Sequence, residues 1–377
     1  MSLKIINSFS VNQSGEQALE EIAKAIYVNE PNIAMLFISN NYDFLSLGKK
    51  IKELFQNTLV IACSTAGEIG VEGHVENSIT GMSLKSDHYL IKNIFIKNLK
   101  NLEANELNEY HDQIKDFVEE YKSKSNYKAF STFLIDGLSV KEEIVLGLLD
   151  TMLQRIPLAG GSAGDGLNFQ KTYVYHDGEF LENSACLTLF ATDLPFKLFK
   201  SQHFSKSDVK LVITEADPEA RIVTEINGEP AAEAYAKILG ISIEQFDAMV
   251  FSKYPLMLNI GGQYYVRSIQ KVNQDKSLTF YCAIDVGLVL TLATRESISK
   301  SIEDIFNELN KEINTLEGCL LFECILRRLE ISDMSQAEKE KIFSIYKKNK
   351  SIGFHTYGEQ FGALHINQTL TGIAFGK

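Results

Sequence analysis

The sequence predicts an α/β fold of mixed α+β character. Repeated strand-helix-strand-hairpin units are expected to form mixed sheets flanked by helices, in two closely packed domains. Apolar runs of strand length alternate with amphipathic helical segments. Loops rich in small residues, each ending in an acid, recur after these runs. The 377 residues are enough for two or three domains with a buried core.

The first unit is predicted from two apolar runs with an amphipathic helix between them. Ile33–Ile38 and Thr58–Ala62 have the length and composition of buried strands, and Asp43 is a candidate N-cap for the helix. The second run enters the loop Cys63–Glu68. A strand and a helix are expected before this unit, at Lys4–Phe9 and Gly15–Tyr27. Alternating segments after the loop are predicted to pair as a hairpin, at Ser78–Leu84 and Tyr89–Phe95.

The second unit repeats this order. A charged helix at Glu103–Lys122 precedes a strand at Lys128–Ile135. Ser139 and Glu142 have the spacing of a capping box for the next helix. The strand Ile156–Ala159 then enters a glycine-rich loop that ends at Asp165–Gly166. A hairpin is predicted after it, from Thr172–His176, a turn at Asp177–Gly178 and Ala185–Phe190.

A third copy of the unit is indicated near the end of the chain. Cys319–Ile325 and Ser351–Phe354 predict strands, with a capping box at Ser335–Glu338 opening the helix between them. At one common offset, Gly358–Glu359 aligns with Gly67–Glu68, and Leu370–Phe375 aligns with Ile79–Leu84.

A segment without the repeated pattern, Asp208–Leu316, separates the second and third copies. A helix is predicted at Ala231–Leu239, between Pro230 and Gly240. Tyr264–Ile269 and Ser277–Asp285 are predicted to pair as antiparallel strands. We place a domain boundary near residue 220, which gives a domain of residues 1–220 with two units and a domain of residues 221–377 with the third.

The composition excludes several classes of protein. A net charge of -12 argues against nucleic acid and against an anionic membrane surface as partner. No apolar run reaches the ~18 residues of a membrane span, and the first residues lack the pattern of a signal peptide. Five scattered cysteines do not form a disulfide framework, so we expect a reduced, cytoplasmic protein.

A nucleophile elbow is the sharpest enzymatic pattern in the sequence. Gly160–Gly164 matches G-x-S-x-G around Ser162, but that motif requires a helix directly after the serine. The residues that follow predict a hairpin strand instead. A hydrolase acting through Ser162 or Cys63 is therefore the least favoured hypothesis, and we expect no catalytic residues.

Candidate metal ligands are scattered along the chain. His355 and His365 flank Glu359 and would suit a mononuclear site, but few metal-site spacings are satisfied. The favoured interpretation is that no metal is bound and that no cofactor is needed. Haem is the alternative cofactor, because a single axial histidine such as His203 or His355 suffices and leaves no spacing signature.

The acids that close the small-residue loops are the strongest candidates for a binding site. Glu68, Asp165 and Glu359 each follow a glycine at the end of a predicted strand, where α/β sheets commonly bind ligands. With Arg267 as a counter-charge, they would suit a small ligand that carries an amine and a carboxylate. In the alternative interpretation, each acid accepts backbone N–H bonds from its own loop. The predicted ligand-binding residues are Ser64, Thr65, Glu68, Ser162, Asp165, Arg267 and Glu359.

Several of these segments resemble the FIST family, over nearly the whole chain. The motifs that carry the resemblance are Ala62–Ile69, Gly160–Gly166, Glu225–Ala231, Cys324–Arg327, Gly353–Glu359 and Asn367–Thr369. The resemblance implies a bacterial sensory protein with a FIST N part at roughly residues 30–220 and a FIST C part at 221–370. It also implies that small ligands such as amino acids are bound.

The resemblance further implies a signalling partner, namely a histidine kinase, a cyclase or a chemoreceptor, and this chain is similar to the stand-alone members. The first functional hypothesis is therefore a non-catalytic sensor that binds a small molecule and signals to a partner protein. The second is a haem-binding nitric oxide sensor acting on a histidine kinase, as the resemblance implies for a subset of the family.

Overall fold

The computed structural model describes residues 2–377. Its first unit holds six strands and two helices. They are β1 (Lys4–Ser10), α1 (Gly15–Ile26), β2 (Ile33–Ser39), α2 (Phe44–Leu54), β3 (Leu59–Thr65), β4 (Glu68–Gly70), β5 (Gly73–Val75) and β6 (Ile79–Lys85).

The second unit has the same order of elements. They are β7 (Tyr89–Ile96), α3 (Ala104–Lys122), β8 (Lys128–Ile135), α4 (Glu142–Leu153), β9 (Leu158–Ser162), β10 (Val174–His176), β11 (Glu179–Leu181) and β12 (Ala185–Thr192). A short 3₁₀ helix, Leu99–Asn101, precedes α3.

The third unit begins with β13 (Phe196–Gln202) and is then interrupted by an insertion. The insertion contains β14 (Phe204–Asp217), β15 (Ile222–Ile226), β16 (Glu229–Pro230), α5 (Ala231–Leu239), α6 (Ala248–Lys253), β17 (Leu256–Ile260), β18 (Gln263–Arg267), β19 (Ile269–Val272), β20 (Leu278–Phe280) and β21 (Val289–Arg295). The unit resumes with α7 (Ile298–Glu312), β22 (Leu316–Cys324), α8 (Ile325–Ser332), α9 (Gln336–Lys348), β23 (Ser351–Thr356), β24 (Glu359–Phe361), β25 (Leu364–Ile366) and β26 (Thr369–Gly376).

Each unit builds one mixed sheet with the same strand order. The orders are β1-β6-β2-β3, β7-β12-β8-β9 and β13-β26-β22-β23, and the last two strands of each run are parallel. This confirms the predicted class of repeated units that form mixed sheets flanked by helices. The third unit has the architecture of the first two, in agreement with the offset shared by the two sequence matches.

The edge of each sheet is completed by a short hairpin from another unit. Hairpin β10–β11 of the second unit joins β3 of the first, β24–β25 of the third joins β9 of the second, and β4–β5 of the first joins β23 of the third. The exchange closes a ring of three units. Each six-stranded sheet therefore contains residues from two units.

The three sheets enclose a common apolar core, and the helices cover their outer faces. Phe37 of the first sheet stacks on Phe354 of the third, with ring centroids 4.7 Å apart, and Phe130 of the second lies 6.0 Å from Phe375. Separate apolar clusters fill the space under α1 and α2, under α3 and α4, and under α7 and α9. The inner faces hold the ring together because they bury aromatic side chains from all three units.

The insertion forms one eight-stranded sheet with its own apolar core. The boundary predicted near residue 220 lies in the connection between β14 and β15, inside this sheet. The helix α5 occupies the predicted residues and ends at Gly240 in the left-handed conformation. The predicted pairing of Tyr264–Ile269 with Ser277–Asp285 is wrong in part, because β18 pairs with β17 and only β19 pairs with β20.

Both predicted hairpins differ from the structure. β6 and β7 lie in different sheets, and β12 pairs with β7 and β8 rather than with β10. The actual hairpins, β4–β5 and β10–β11, are made of three-residue strands. Strands this short carry almost no alternation of polar and apolar residues, so only their partners in another unit make them strands.

Two of the three predicted side-chain N-caps are confirmed. Asp43 accepts hydrogen bonds from the amides of Leu45 and Ser46, and Ser335 forms a capping box with Glu338. The capping box predicted at Ser139 is wrong, because its hydroxyl donates to the carbonyl of Asp136, and α4 starts after Lys141.

Candidate functional site

The three small-residue loops meet and hydrogen-bond to one another in a ring. The amide of Gly164 donates to the carbonyl of Ser64 (3.1 Å). In the same way, Ala66 donates to His355 (3.0 Å) and Tyr357 donates to Ser162 (3.2 Å). The loops therefore converge, but the contacts that bring them together are their own backbone bonds.

This ring also determines which loop residues are equivalent. The amides of His355 and Ser162 donate to Gly67 and Gly358, whereas the amide of Ser64 donates to Tyr173. Residues 165–172 are thus an extra segment of the second unit. The residue at the position of Glu68 and Glu359 is Val174, the first residue of β10. The predicted equivalence of Asp165 with the two glutamates is wrong. The sequence Ala163–Asp165 resembles Ala66–Glu68, but matching the two ignores this extra segment.

Glu68 and Glu359 are fully buried in cradles of hydroxyl groups. Glu68 accepts hydrogen bonds from Ser39 (2.8 Å), Ser78 (2.6 Å) and Thr65. Burial, only partly offset by these hydrogen bonds, raises the pKa of Glu68 to about 7.

Glu359 accepts hydrogen bonds from the hydroxyl (2.7 Å) and amide (3.0 Å) of Thr369 and from the hydroxyl of Thr356. Burial raises the pKa of Glu359 to about 8. Both carboxyl groups fasten the starts of the exchanged hairpins to their own units.

Asp165 holds the extra segment of the second unit in place. Its carboxylate accepts hydrogen bonds from the amides of Phe169 (2.9 Å), Gln170 (2.8 Å) and Lys171 (3.0 Å). It also accepts one from the hydroxyl of Tyr357 in the third unit. This is the arrangement of the alternative interpretation, in which an acid satisfies the amides of its own loop.

The remaining predicted residues are also engaged within the protein. Ser64 accepts from the amide of Tyr173 (2.9 Å), and Ser162 accepts from Nε2 of Gln360 (2.9 Å). Arg267 is 6% exposed and donates to the carbonyl of His365 (3.0 Å). Of the predicted binding residues, Asp165 alone lines the pocket described next, and it does so with its carboxylate already occupied.

A pocket of about 660 Å³ lies where hairpin β10–β11 of the second unit joins the first sheet. Its floor is aromatic: the ring of Phe44, at the start of α2, lies 4.9 Å from those of Tyr173 and Phe180. Charged and polar side chains surround this floor. They come from α2 and the turn before it, from the extra segment and from the hairpin, and include Asn40, Lys49, Asn168, Gln170, Lys171 and Glu179.

These pocket residues were missed in the sequence because they come from three separate segments. The only local signal was the pair of hydrophobic residues after the N-cap of α2, where Phe44 and Leu45 follow Asp43 directly. The opposite wall of the pocket is formed by the extra segment of the second unit. This segment reaches the first unit only because the units exchange hairpins.

The candidate nucleophiles do not reach a surface. Ser162 and Cys63 have no exposed area, and burial raises the pKa of the Cys63 thiol well above its usual value. A thiol with a raised pKa is a poor nucleophile at neutral pH. The geometry therefore does not favour either residue as the nucleophile of a hydrolase.

The two histidines considered as haem ligands are also fully buried. His203 contacts Glu330 through Nε2 (2.8 Å) and Arg327 through Nδ1 (2.8 Å), so both ring nitrogens have partners. His355 lies beneath α9 beside His74, with the ring centroids 4.3 Å apart. The structure presents neither imidazole to a space of haem size.

Three hairpin-exchanging units with an eight-stranded insertion define a mixed α/β protein. Residues 32–229 match the family model of the FIST N domain, and residues 231–362 match that of the FIST C domain. The chain belongs to the FIST family. FIST domains are associated with signal transduction and ligand sensing.

The chain is also similar to an uncharacterized protein of Methanocaldococcus jannaschii. The two are 24% identical over 355 residues, which cover 84% of this chain and 67% of that protein. Among residues 2–377, no helix has both the length and the apolar composition to cross a membrane.

Proposed function

We propose that this chain is a non-catalytic sensor that binds a small molecule in the pocket between α2 and hairpin β10–β11. The observation that carries the proposal is the pocket itself. Its volume of about 660 Å³ lies within the ~300–1,000 Å³ that is usual for small-molecule sites. It combines an apolar floor with polar groups at the rim, which is the pattern of such sites.

An amino acid is the first candidate ligand. Lys49 and Lys171 provide positive charge for a carboxylate, and Glu179 provides negative charge for an ammonium group. The aromatic floor of Phe44, Tyr173 and Phe180 suits an apolar side chain. A zwitterion with an apolar or aromatic side chain therefore complements both the charges and the floor.

The signal is proposed to travel through residues 165–172. This segment lines the pocket and contacts the third unit through Asp165 and Tyr357. The ring of Phe169 lies 4.9 Å from Tyr357 and 5.9 Å from Tyr281 of the insertion. A ligand that binds one conformation of residues 165–172 more tightly than another shifts the population toward that conformation. The contacts of this segment with the pocket, the third unit and the insertion then change together. The partner that detects this change is a histidine kinase, a cyclase or a chemoreceptor.

A thermal-shift screen of the twenty amino acids, followed by calorimetric titration of the hits, tests the proposal. Lys171→Gln and Glu179→Gln each remove one charge at the pocket, and we expect either to weaken binding by about 10-fold, as for loss of a charge-assisted hydrogen bond. Lys237→Gln is the matched control, because Lys237 is an exposed lysine in an ion pair with Glu229 (2.8 Å), far along the chain in α5.

A ligand whose affinity is unchanged in both pocket variants contradicts this location of the site. Loss of binding in Ser162→Ala but not in Lys171→Gln would return the site to the small-residue loops. Absorbance in the Soret region after addition of haem, with one equivalent bound, would favour the gas-sensor hypothesis instead.

A further inference from the structure

A second cluster of chemically capable side chains lies far from the pocket, on the outer face of the third sheet. Glu323 and His355 are direct neighbours on the parallel strands β22 and β23. His74 reaches them from β5, in the hairpin that the first unit contributes to this sheet. Three ligating side chains from two units therefore meet at one point between the sheet and helices α8 and α9.

Their ligand atoms have the separation that a metal ion requires. Nε2 of His74 lies 2.9 Å from Oε2 of Glu323, and Nδ1 of His355 lies 3.7 Å from the same oxygen. All three ligand atoms lie within 4.8 Å of one another. Ligands that are each about 2 Å from a tetrahedral ion are separated by about 3.3 Å, so small side-chain rotations suffice.

The unpaired ring nitrogens of His355 are independent evidence that a ligand binds here. Its side chain has no exposed area, and neither ring nitrogen has a hydrogen-bond partner. Buried imidazoles normally donate or accept at least one hydrogen bond, because an unpaired polar group away from water is costly.

The surroundings orient the carboxylate toward the two imidazoles. Oε1 of Glu323 accepts hydrogen bonds from the hydroxyl of Tyr346 (3.1 Å) and from Nε of Arg327 (3.3 Å). Oε2 is left for His74 and His355. Partners of this kind fix the first ligand shell of metal sites. The charge of Arg327 balances that of Glu323, so a bound divalent ion favours a hydroxide or another small anion as its fourth ligand.

We propose that His74, Glu323 and His355 bind one divalent first-row transition metal ion, Zn²⁺ or Fe²⁺, with one coordination position left for water or an anion. Two imidazoles and one carboxylate are ligands that both ions accept. The ion fastens the β4–β5 hairpin of the first unit to the third sheet. The site is independent of the proposed ligand pocket, which lies on the first sheet.

Calorimetric titration of the chelator-treated full chain with Zn²⁺ tests this site. We expect one equivalent to bind to the unmodified protein, and its affinity to fall by ~100-fold or more in His74→Gln and in His355→Gln. His88→Gln is the matched control, because His88 also lies 2.9 Å from a carboxylate, that of Asp193, and is not part of the three-ligand cluster. Its affinity for Zn²⁺ should equal that of the unmodified protein.

The thermal midpoint provides a second readout that does not depend on the buried variant folding. Zn²⁺ should raise the midpoint of the unmodified protein and of His88→Gln, but not that of His74→Gln, whose side chain is 11% exposed at the edge of the cluster. The proposal is overturned if the unmodified protein binds no stoichiometric Zn²⁺, or if His74→Gln binds Zn²⁺ as tightly as the control does.

Discussion

Single glycines allow close backbone contacts within the second unit and between the second unit and the first. A Cβ atom on Gly160 would lie 2.0 Å from the carbonyl oxygen of Phe133, and one on Gly164 would lie 2.8 Å from the backbone nitrogen of Ala66. Both contacts are with backbone, which is held by sheet or loop hydrogen bonds and cannot turn aside as a flexible side chain could. The glycine-rich loop therefore reflects close packing between strands and loops.

We expect Gly160→Ala to lower the free energy of unfolding by about 3 kcal/mol, as for an overpacked core. Gly147→Ala is the control, because nothing lies within 4 Å of its Cβ position on α4. It should raise the free energy of unfolding by about 0.5–1 kcal/mol through helix propensity. Urea denaturation measures both values. Equal effects of the two substitutions would contradict the packing argument.

Glu359 and Glu68 give the protein an unusual dependence on pH. Because the pKa of Glu359 is raised to about 8, the folded state holds a proton that the unfolded state releases near pH 4.5. Its contribution to stability is therefore complete below about pH 4.5 and is lost as the pH rises through about 8. Burial of Glu68, whose pKa is raised to about 7, acts in the same direction.

Between pH 7 and pH 9 we expect the free energy of unfolding to fall by about 1 kcal/mol through Glu359 alone. In Glu359→Gln, an uncharged mimic of the protonated acid, this part of the decrease should disappear. Urea denaturation at pH 7, 8 and 9 provides the comparison, with the exposed acid variant Glu120→Gln as control. Parallel curves for Glu359→Gln and the control would show that Glu359 does not titrate in this range.

At the scale of elements, residues 165–172 connect the pocket to the rest of the molecule. Asp165→Asn removes the charge that satisfies three amides and leaves one oxygen to accept from them. We expect a loss of about 1–3 kcal/mol of stability and hydrogen exchange at Phe169–Lys171 that is faster by about 10-fold. Mass spectrometry of exchanged peptides measures the second effect.

Asp247→Asn provides the control for Asp165→Asn. Asp247 is the N-cap of α6 and accepts from the amide of Val250 (2.8 Å), a role that asparagine fills equally well. Its peptides should exchange at the rate of the unmodified protein. If the Asp165→Asn segment exchanges no faster than the control, the carboxylate does not hold the segment in place.

At the scale of the whole molecule, the exchange of hairpins makes the three units depend on one another. Without β23, the hairpin β4–β5 of the first unit has no sheet to join, and without β24 the second sheet ends at β9. Isolated hairpins of three-residue strands are unstable in water, and an unpaired edge strand promotes association.

We therefore expect residues 1–195 and residues 196–377, expressed separately, to show no cooperative thermal unfolding by circular dichroism. Expressed together, the two pieces should copurify in a 1:1 complex with one unfolding transition. A sharp transition for residues 1–195 alone would show that the first two units are stable without the third.

The central strands and most helices could be predicted because each carries its own periodic pattern. Ile33–Ile38 is apolar throughout since both faces of this strand are buried, and α7 shows a clear amphipathic face. The match of Leu370–Phe375 to Ile79–Leu84 corresponds to β26 and β6, which occupy the same place in two sheets. Local pattern was sufficient wherever an element packs mainly within its own unit.

The candidate site could be predicted only in part. Glu68 and Glu359 were predicted to bind a ligand. In the structure they are buried acids that fasten the exchanged hairpins. Asp165 was selected because it follows a glycine. In the structure, neither of the other two units has an acid at the equivalent position. The pocket residues Phe44, Lys171 and Glu179 carry no common motif, since their proximity results from the hairpin that crosses between units.

The sequence by itself determined the fold class, the repeated units and the family, because apolar periodicity and small-residue loops are local properties of the chain. Only the tertiary structure decided which strands complete which sheet, and therefore what the conspicuous residues do. Three-residue strands and buried carboxyl groups obtain their partners from units that are distant in the chain. The physical reason is that a backbone edge or a buried polar group requires a hydrogen-bond partner, and the sequence does not encode locally where that partner lies.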